Sequence, residues 1–239
     1  MQHSVSKQRI CKVDLNRINN FLLYKRSVKE RFFVAFLFFS LFASVSPAAA
    51  QKVLEKVFDA HDLTSVNINA DQMYRVELHT HRKPSVTIIA SMEGEYRNDL
   101  VITADQKGSS LFVESRFMPL FKDPNDKLSA HKVVSVDLVI SVPESVKVSL
   151  SGHATRVLPK GNFSDLEIKT YDGPVFLVGT SGLIEVRTFS GDIHASGIKG
   201  VIARAESSYG KIFKGKVVPG GSEFRFNSVN GNIHINENE

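Results

Sequence analysis

Four segments of the 239-residue chain share one frame around a glycine, and no other feature limits the fold so strongly. They span residues 168–176, 186–194, 205–213 and 226–234, with the glycines at Gly173, Gly191, Gly210 and Gly231. Each has Thr or Ser three residues before the glycine, Val or Ile two after it, and Phe or His three after it. The glycines lie 18, 19 and 21 residues apart. A kept period near 20, with a turn residue between two short strands, is the mark of stacked repeats. One unit alone cannot bury its apolar face, so neighbours complete the core. Val175, Ile193, Ile212 and Ile233 are therefore expected to form one internal column, with the glycines supplying backbone angles that other residues avoid. Ile233 belongs to the last copy, beside the polar tail 236–239, where rungs should fray most easily. Lys169 and Arg187 fall on the alternate, outward positions. Hairpins at Asp172-Gly173 and Asn230-Gly231 are the rival arrangement. The kept unit length favours parallel stacking, a β-solenoid or β-helix-like fold.

The first half reads as ordinary strands. Over residues 74–81 apolar and polar residues alternate strictly, and Val134, Val136, Leu138, Ile140 and Val142 repeat that alternation, the period of a half-buried strand. Pro143 is expected to end the second ladder. Shorter strands are expected at 65–70, 85–90, 100–104, 111–115 and 146–150, and no helix-period segment occurs after residue 62. The class is all-β. An N-terminal β-rich portion over 51–150 continues into a C-terminal β-repeat portion over 151–239 as one domain. Residues 116–128 break the rhythm with two prolines and several large apolar side chains. Phe117, Met118, Leu120 and Phe121 there form a candidate interaction loop, because a contiguous exposed apolar patch marks a contact site. A plug over one end of the sheet stack is the plainer reading.

Residues 1–50 stand apart. Lys25, Arg26, Lys29 and Arg31 precede the apolar run 32–43, Pro47 breaks it, and Ala48-Ala49-Ala50 follows. This is the layout of a secretory signal peptide, with cleavage expected after Ala50. The run meets Pro47 before reaching the roughly 20 apolar residues of a spanning helix, which argues against a retained anchor. Residues 1–24 read as an extension of that leader. The leader holds eight of the 30 Lys and Arg but only two of the 25 Asp and Glu. The remainder is thus near neutral and lacks the basic stripe that nucleic-acid binding needs. The one cysteine, Cys11, also lies in the leader, so no disulfide, thiolate or lipid-anchoring cysteine is expected beyond it. Export without disulfides suits a bacterial envelope protein, in the periplasm, at the outer surface or outside the cell. Membrane contact is expected only through the leader before cleavage.

No reaction chemistry emerges. Gly179-Thr180-Ser181-Gly182 has the wrong spacing for a nucleophile elbow. Asp123-Pro124-Asn125-Asp126 opens like a calcium loop, but Leu128 and Val134 occupy the glycine and bidentate-acid positions. His79 and His81 share a strand face that also carries Arg75 and Glu77, and no third ligand accompanies them. His194 and His234 occupy the Phe/His position of the repeat, where stacking with Phe176 and Phe213 is the plain explanation. No catalytic residue, cofactor or metal is expected, and the chain is read as a non-enzyme.

The leader, the strand-rich first half, the stretch Pro124-Asn125-Asp126-Lys127-Leu128-Ser129-Ala130-His131-Lys132, Val142-Pro143-Glu144 and the Gly-x-Ile/Val repeats carry a resemblance. Together they resemble the adhesin-like β-strand-repeat proteins of bacteria, including secreted flavobacterial members related to autotransporter adhesin-like heads. The resemblance covers nearly all of residues 51–239. It implies a fold and a compartment; its motifs are structural and bring no site residues. The expected function is an exported adhesin-like or envelope binding and scaffold module, with a cell-surface or extracellular polymer or protein as partner. A periplasmic structural or stress-related protein without external ligand is the alternative, and a carbohydrate-active β-helix enzyme a third.

The leader generates the first test. Intact-mass analysis of the exported protein is expected to give a chain beginning at Gln51. A mass that retains residues 32–50 would establish an anchor instead.

Overall fold

Alternating apolar and polar residues become strands throughout residues 52–94, 100–118 and 134–236, the parts that the computed structural model describes; none of these residues is helical. The first strands are β1 (Lys52–Asp59), β2 (Ser65–Asn69), β3 (Arg75–His81) and β4 (Ser85–Gly94). They are followed by β5 (Leu100–Lys107), β6 (Ser110–Phe117), β7 (Val134–Pro143) and β8 (Lys147–Gly152). The repeats begin with β9 (Arg156–Lys160), β10 (Asn162–Thr170), β11 (Val175–Val178), β12 (Ser181–Thr188) and β13 (Ile193–Ser196). Last come β14 (Lys199–Ser207), β15 (Ile212–Lys214), β16 (Val218–Ser228) and β17 (Ile233–Ile235). Every strand expected in the first half is present, and Pro143 is indeed the last residue of β7.

The strands form two mixed sheets. One has the order β1-β4-β7-β3-β9-β11-β13-β17-β15, the other β14-β16-β12-β10-β8-β2-β6-β5. From β7 to the end, successive strands alternate between the two sheets. Each repeat thus puts its longer strand in the second sheet, bends at its glycine, and puts its shorter strand in the first. Pairing between repeats is parallel: Ile168 lies beside Val186, Val186 beside Phe226, Val175 beside Ile193, and Ile193 beside Ile233. No repeat glycine therefore turns a hairpin. The antiparallel pairs are β1–β4, β4–β7 and β5–β6. Inward side chains from both sheets meet in one apolar cluster that includes Leu78, Ile140, Leu166, Val186, Phe224, Phe226 and Ile233.

The internal column forms, but not in sequence order. The fourth copy lies between the second and the third, because Ile233 pairs with Ile193 on one side and Ile212 on the other. Ile233, expected to fray, is fully buried, whereas Ile212, expected in the middle, is 40% exposed on the end strand. The reason lies in what each copy turns inward. The fourth contributes Phe224, Phe226, Ile233 and Ile235, all fully buried. In the third, Ala205 stands in the column of Val186 and Phe226, and Lys214 stands beside Ile235. A charged side chain cannot fill the middle of an apolar column but suits its end, where water reaches it.

The glycines also work differently from the expectation. None of the four has a positive φ; glycines such as Gly179, Gly182 and Gly197 do. What the repeat glycines allow is close approach. A Cβ on Gly173 would overlap the Thr155 carbonyl oxygen, one on Gly191 that of Gly173, one on Gly231 that of Gly191, and one on Gly210 that of Gly231. Each rung thus seats a carbonyl where the next rung's side chain would begin. The Thr or Ser three residues earlier fastens the bend. Thr170 and Thr188 hydroxyls donate to the carbonyls of Gly173 (2.7 Å) and Gly191 (2.6 Å). The Ser207 and Ser228 hydroxyls instead accept from the N–H groups of Gly210 (3.0 Å) and Gly231 (2.9 Å). Thr170, Thr188 and Ser228 are buried, so without these bonds each would leave a costly unpaired hydroxyl.

Two stability series follow. Ile193→Ala and Ile233→Ala should each cost on the order of 2–5 kcal/mol, as buried aliphatic truncations do, and Ile212→Ala clearly less. Lys169→Ala and Arg187→Ala should stay within about 0.5 kcal/mol. Denaturant unfolding of the five variants measures the ranking, and a loss at Ile212 equal to that at Ile233 would contradict the rung order. In the second series, Gly191→Ala should cost about 1–3 kcal/mol or more, because backbone lies in the way. Gly221→Ala, with open space around its Cβ position, should cost about 0.5 kcal/mol at most. Thermal or chemical melts compare the two.

Candidate functional site

Side chains at equivalent outward positions of stacked rungs are brought to about the inter-strand spacing, roughly 4.8 Å. Flat side chains there must stack. Phe176, His194, His234 and Phe213 form one such column, with successive ring centroids 4.8, 4.7 and 4.7 Å apart and planes within 12° of parallel. The stacking expected for His194 and His234 is therefore present, in the rung order just described. The Arg156 guanidinium lies 5.5 Å from the Phe176 centroid, a cation–π contact at the end of the column.

A second aromatic column was not foreseen. His153 stacks on Tyr171 at 4.9 Å and Tyr171 on Phe189 at 4.5 Å, with planes within 9° of parallel. Tyr171 and Phe189 are 46% and 38% exposed. Both sit two residues before a repeat glycine, at the corner where the chain leaves the second sheet, and backbone bonds fix that corner: Phe189 N–H donates to Thr170 O and Ser190 N–H to Tyr171 O. The third copy has Ser208 at that position, and its 83% exposed Tyr209 comes one residue later. The signal was only partly legible: an aromatic residue stands at that offset in two of the four copies, Tyr171 and Phe189.

The outer face of the second sheet carries charges in alternating signs. Lys169 pairs with Glu167 (2.6 Å), Arg187 with Glu185 (2.5 Å), Arg225 with Glu223 (2.6 Å) and Arg204 with Glu206 (2.6 Å). Each pair joins residues two apart on one strand, where side chains share a face. Exposed pairs of this kind contribute at most about 1 kcal/mol. Their effect is to leave the face balanced in charge. Arg204 holds the Glu206 carboxyl below the usual carboxylate range through a hydrogen bond, as His61 does for Asp59; both pairs stand in solvent. Three shallow open hollows of about 190 Å³ lie on this sheet. Their linings are mostly polar, for example Asn67, Asn69, Ser149 and Ser151 in one.

Of the candidate loop, Leu120 and Phe121 lie outside the described residues. Phe117 ends β6, paired with Leu100, and Met118, next to it, is 43% exposed. His79 and His81 lie on β3, and His79 Nε2 is 3.5 Å from Glu77. Among the described residues the three-donor cluster lies elsewhere, at Asp192, His194 and His234. The repeat glycines Gly173, Gly191, Gly210 and Gly231 act on the bends, as described above.

No protein-family model matches the chain, and no curated protein matches it in sequence. Solved structures do match in shape. One is described as "a putative cell adhesion protein from Clostridium sporogenes"; it is 16% identical, with a TM-score of 0.52, over 77% of this chain and 99% of that one. Others are described as adhesins of the putative class from Parabacteroides merdae (14% identical, TM-score 0.39, 77% of this chain and 81% of that one) and Bacteroides fragilis (11%, 0.33, 77% and 96%). The chain shares the fold of the Clostridium protein along almost all of that protein's length, in line with the adhesin-like resemblance of its sequence.

Proposed function

We propose that the protein is an exported, non-enzymatic β-solenoid that binds a cell-surface or extracellular polymer through its exposed aromatic corner. The His153–Tyr171–Phe189 column carries this reading. Aromatic rings held half-exposed at a fixed spacing are costly to leave in water unless a partner covers them, and rigid Tyr-type anchors are where binding energy concentrates. Their geometry suits an extended partner with repeated flat apolar faces, such as a polysaccharide chain, better than a compact ligand. The alternation of β7 to β17 between the two sheets, with parallel pairing between repeats, supports the solenoid description, and the shape likeness to a protein described as adhesive agrees with it. The balanced charge of the second sheet's outer face agrees with a partner that is not a polyanion.

Tyr171→Ala and Phe189→Ala together should abolish retention on immobilised envelope polysaccharides or on whole cells, with a loss of about 2 kcal/mol or more in binding. The melting behaviour should change little, because both rings lie outside the core. Retention unchanged in the double variant would end the polymer-binding reading. So would confinement of the tagged native protein to the periplasm with no bound ligand.

A further inference from the structure

We propose that Asp192, His194 and His234 form a binding site for one divalent transition-metal ion of the zinc class, bridging the second and fourth copies of the repeat. Their donor atoms all lie within 4.8 Å of one another. Two imidazoles and a carboxylate are a set that such ions take readily, three protein ligands leaving the fourth position to water.

The site is a product of the rung order. Were the copies stacked in sequence order, Phe213 would stand between His194 and His234 and hold them two rungs apart, about 9.6 Å. Displacement of the third copy to the end makes His194 and His234 direct neighbours, paired across β13 and β17 with ring centroids 4.7 Å apart. Asp192 lies two residues before His194 and so on the same face. Its Oδ1 accepts the backbone N–H of Asn232 at 2.7 Å, a bond from the neighbouring rung that fixes the carboxylate beside the two rings. Donors around a tetrahedral ion at about 2.0–2.1 Å stand roughly 3.4 Å apart. Binding therefore requires the two imidazoles to turn about their Cβ–Cγ bonds out of the parallel stack. All three side chains are half-buried, and Phe176 and Phe213 lie against the outer faces of the ring pair, which limits water around the bound ion.

The repeat itself supplies the variants for the test. The fourth copy carries Asn232 where the second has Asp192, and the first and third carry Phe176 and Phe213 where the second and fourth have histidine. Asp192→Asn keeps an acceptor for the Asn232 N–H, and His194→Phe and His234→Phe keep an aromatic ring in the stack. The experiment is calorimetric titration of zinc chloride into the chelator-treated, exported protein, with thermal melts in parallel. The wild type should bind one zinc ion, and its melting temperature should rise with zinc. Affinity should fall at acid pH, because an imidazole must be unprotonated to hold the ion. Each variant should melt as the wild type does without metal yet bind zinc at least about tenfold more weakly. No binding by the wild type would overturn the proposal, and so would one-to-one binding unchanged in His194→Phe and His234→Phe, which would place the ion on other histidines.

Discussion

The seat that each repeat glycine leaves for the carbonyl of the rung below is the contact on which the rest of the structure depends. Successive bends approach so closely that any side chain at Gly191 or Gly231 would collide with backbone. Because the corner admits one depth of approach, it fixes both spacing and register. Thr188 shows how tightly: its hydroxyl donates to Gly191 O and meets the Ser228 hydroxyl of the adjoining rung at 2.9 Å. A bend held on both sides in this way cannot slip by one residue, a slip that would turn Ile193 out and His194 in. The Thr/Ser-x-x-Gly spacing and the inward Val/Ile are thus two halves of one constraint, which joins polar satisfaction at the corner to apolar burial along the sheet.

Much of this could be read from the sequence, because strand periodicity and turn residues are local. All-β class, the strands of the first half, and the inward positions of Val175, Ile193 and Ile233 follow from alternation alone. Two strands escaped for local reasons too. β1 carries Val53 and Val57 on its exposed side and only partly buries the other, so its pattern is weak. β9 contains Pro159 in mid-strand, where proline normally argues against a ladder. Beside it β9 pairs with β11 only through Val157, so little of a ladder is lost with the missing N–H, and its carbonyl accepts the Thr180 hydroxyl at 2.8 Å.

Rung order is a different kind of information. It depends on comparing copies with each other, and on asking which of them can bear solvent on one side. The residues that answer are few. Lys214 marks the third copy as an end, and Phe224 and Phe226 mark the fourth as interior. Reading the glycines as torsional hinges hid this, since a hinge imposes no neighbour, whereas a seat for a carbonyl demands one.

Rung order then decides what the surface offers. In a sheet of in-register copies, every outward position is a column whose members are set by stacking, not by distance along the chain. His194 and His234 lie 40 residues apart in sequence and one strand apart in space. Tyr171 and Phe189 adjoin because the first two copies remain consecutive. The inward substitution of a charged residue in a single copy therefore reaches the opposite face of the sheet. By sending that copy to the end of the stack, it determines which outward rings touch. Core composition and surface chemistry, separable in most folds, are here linked through the order of the rungs.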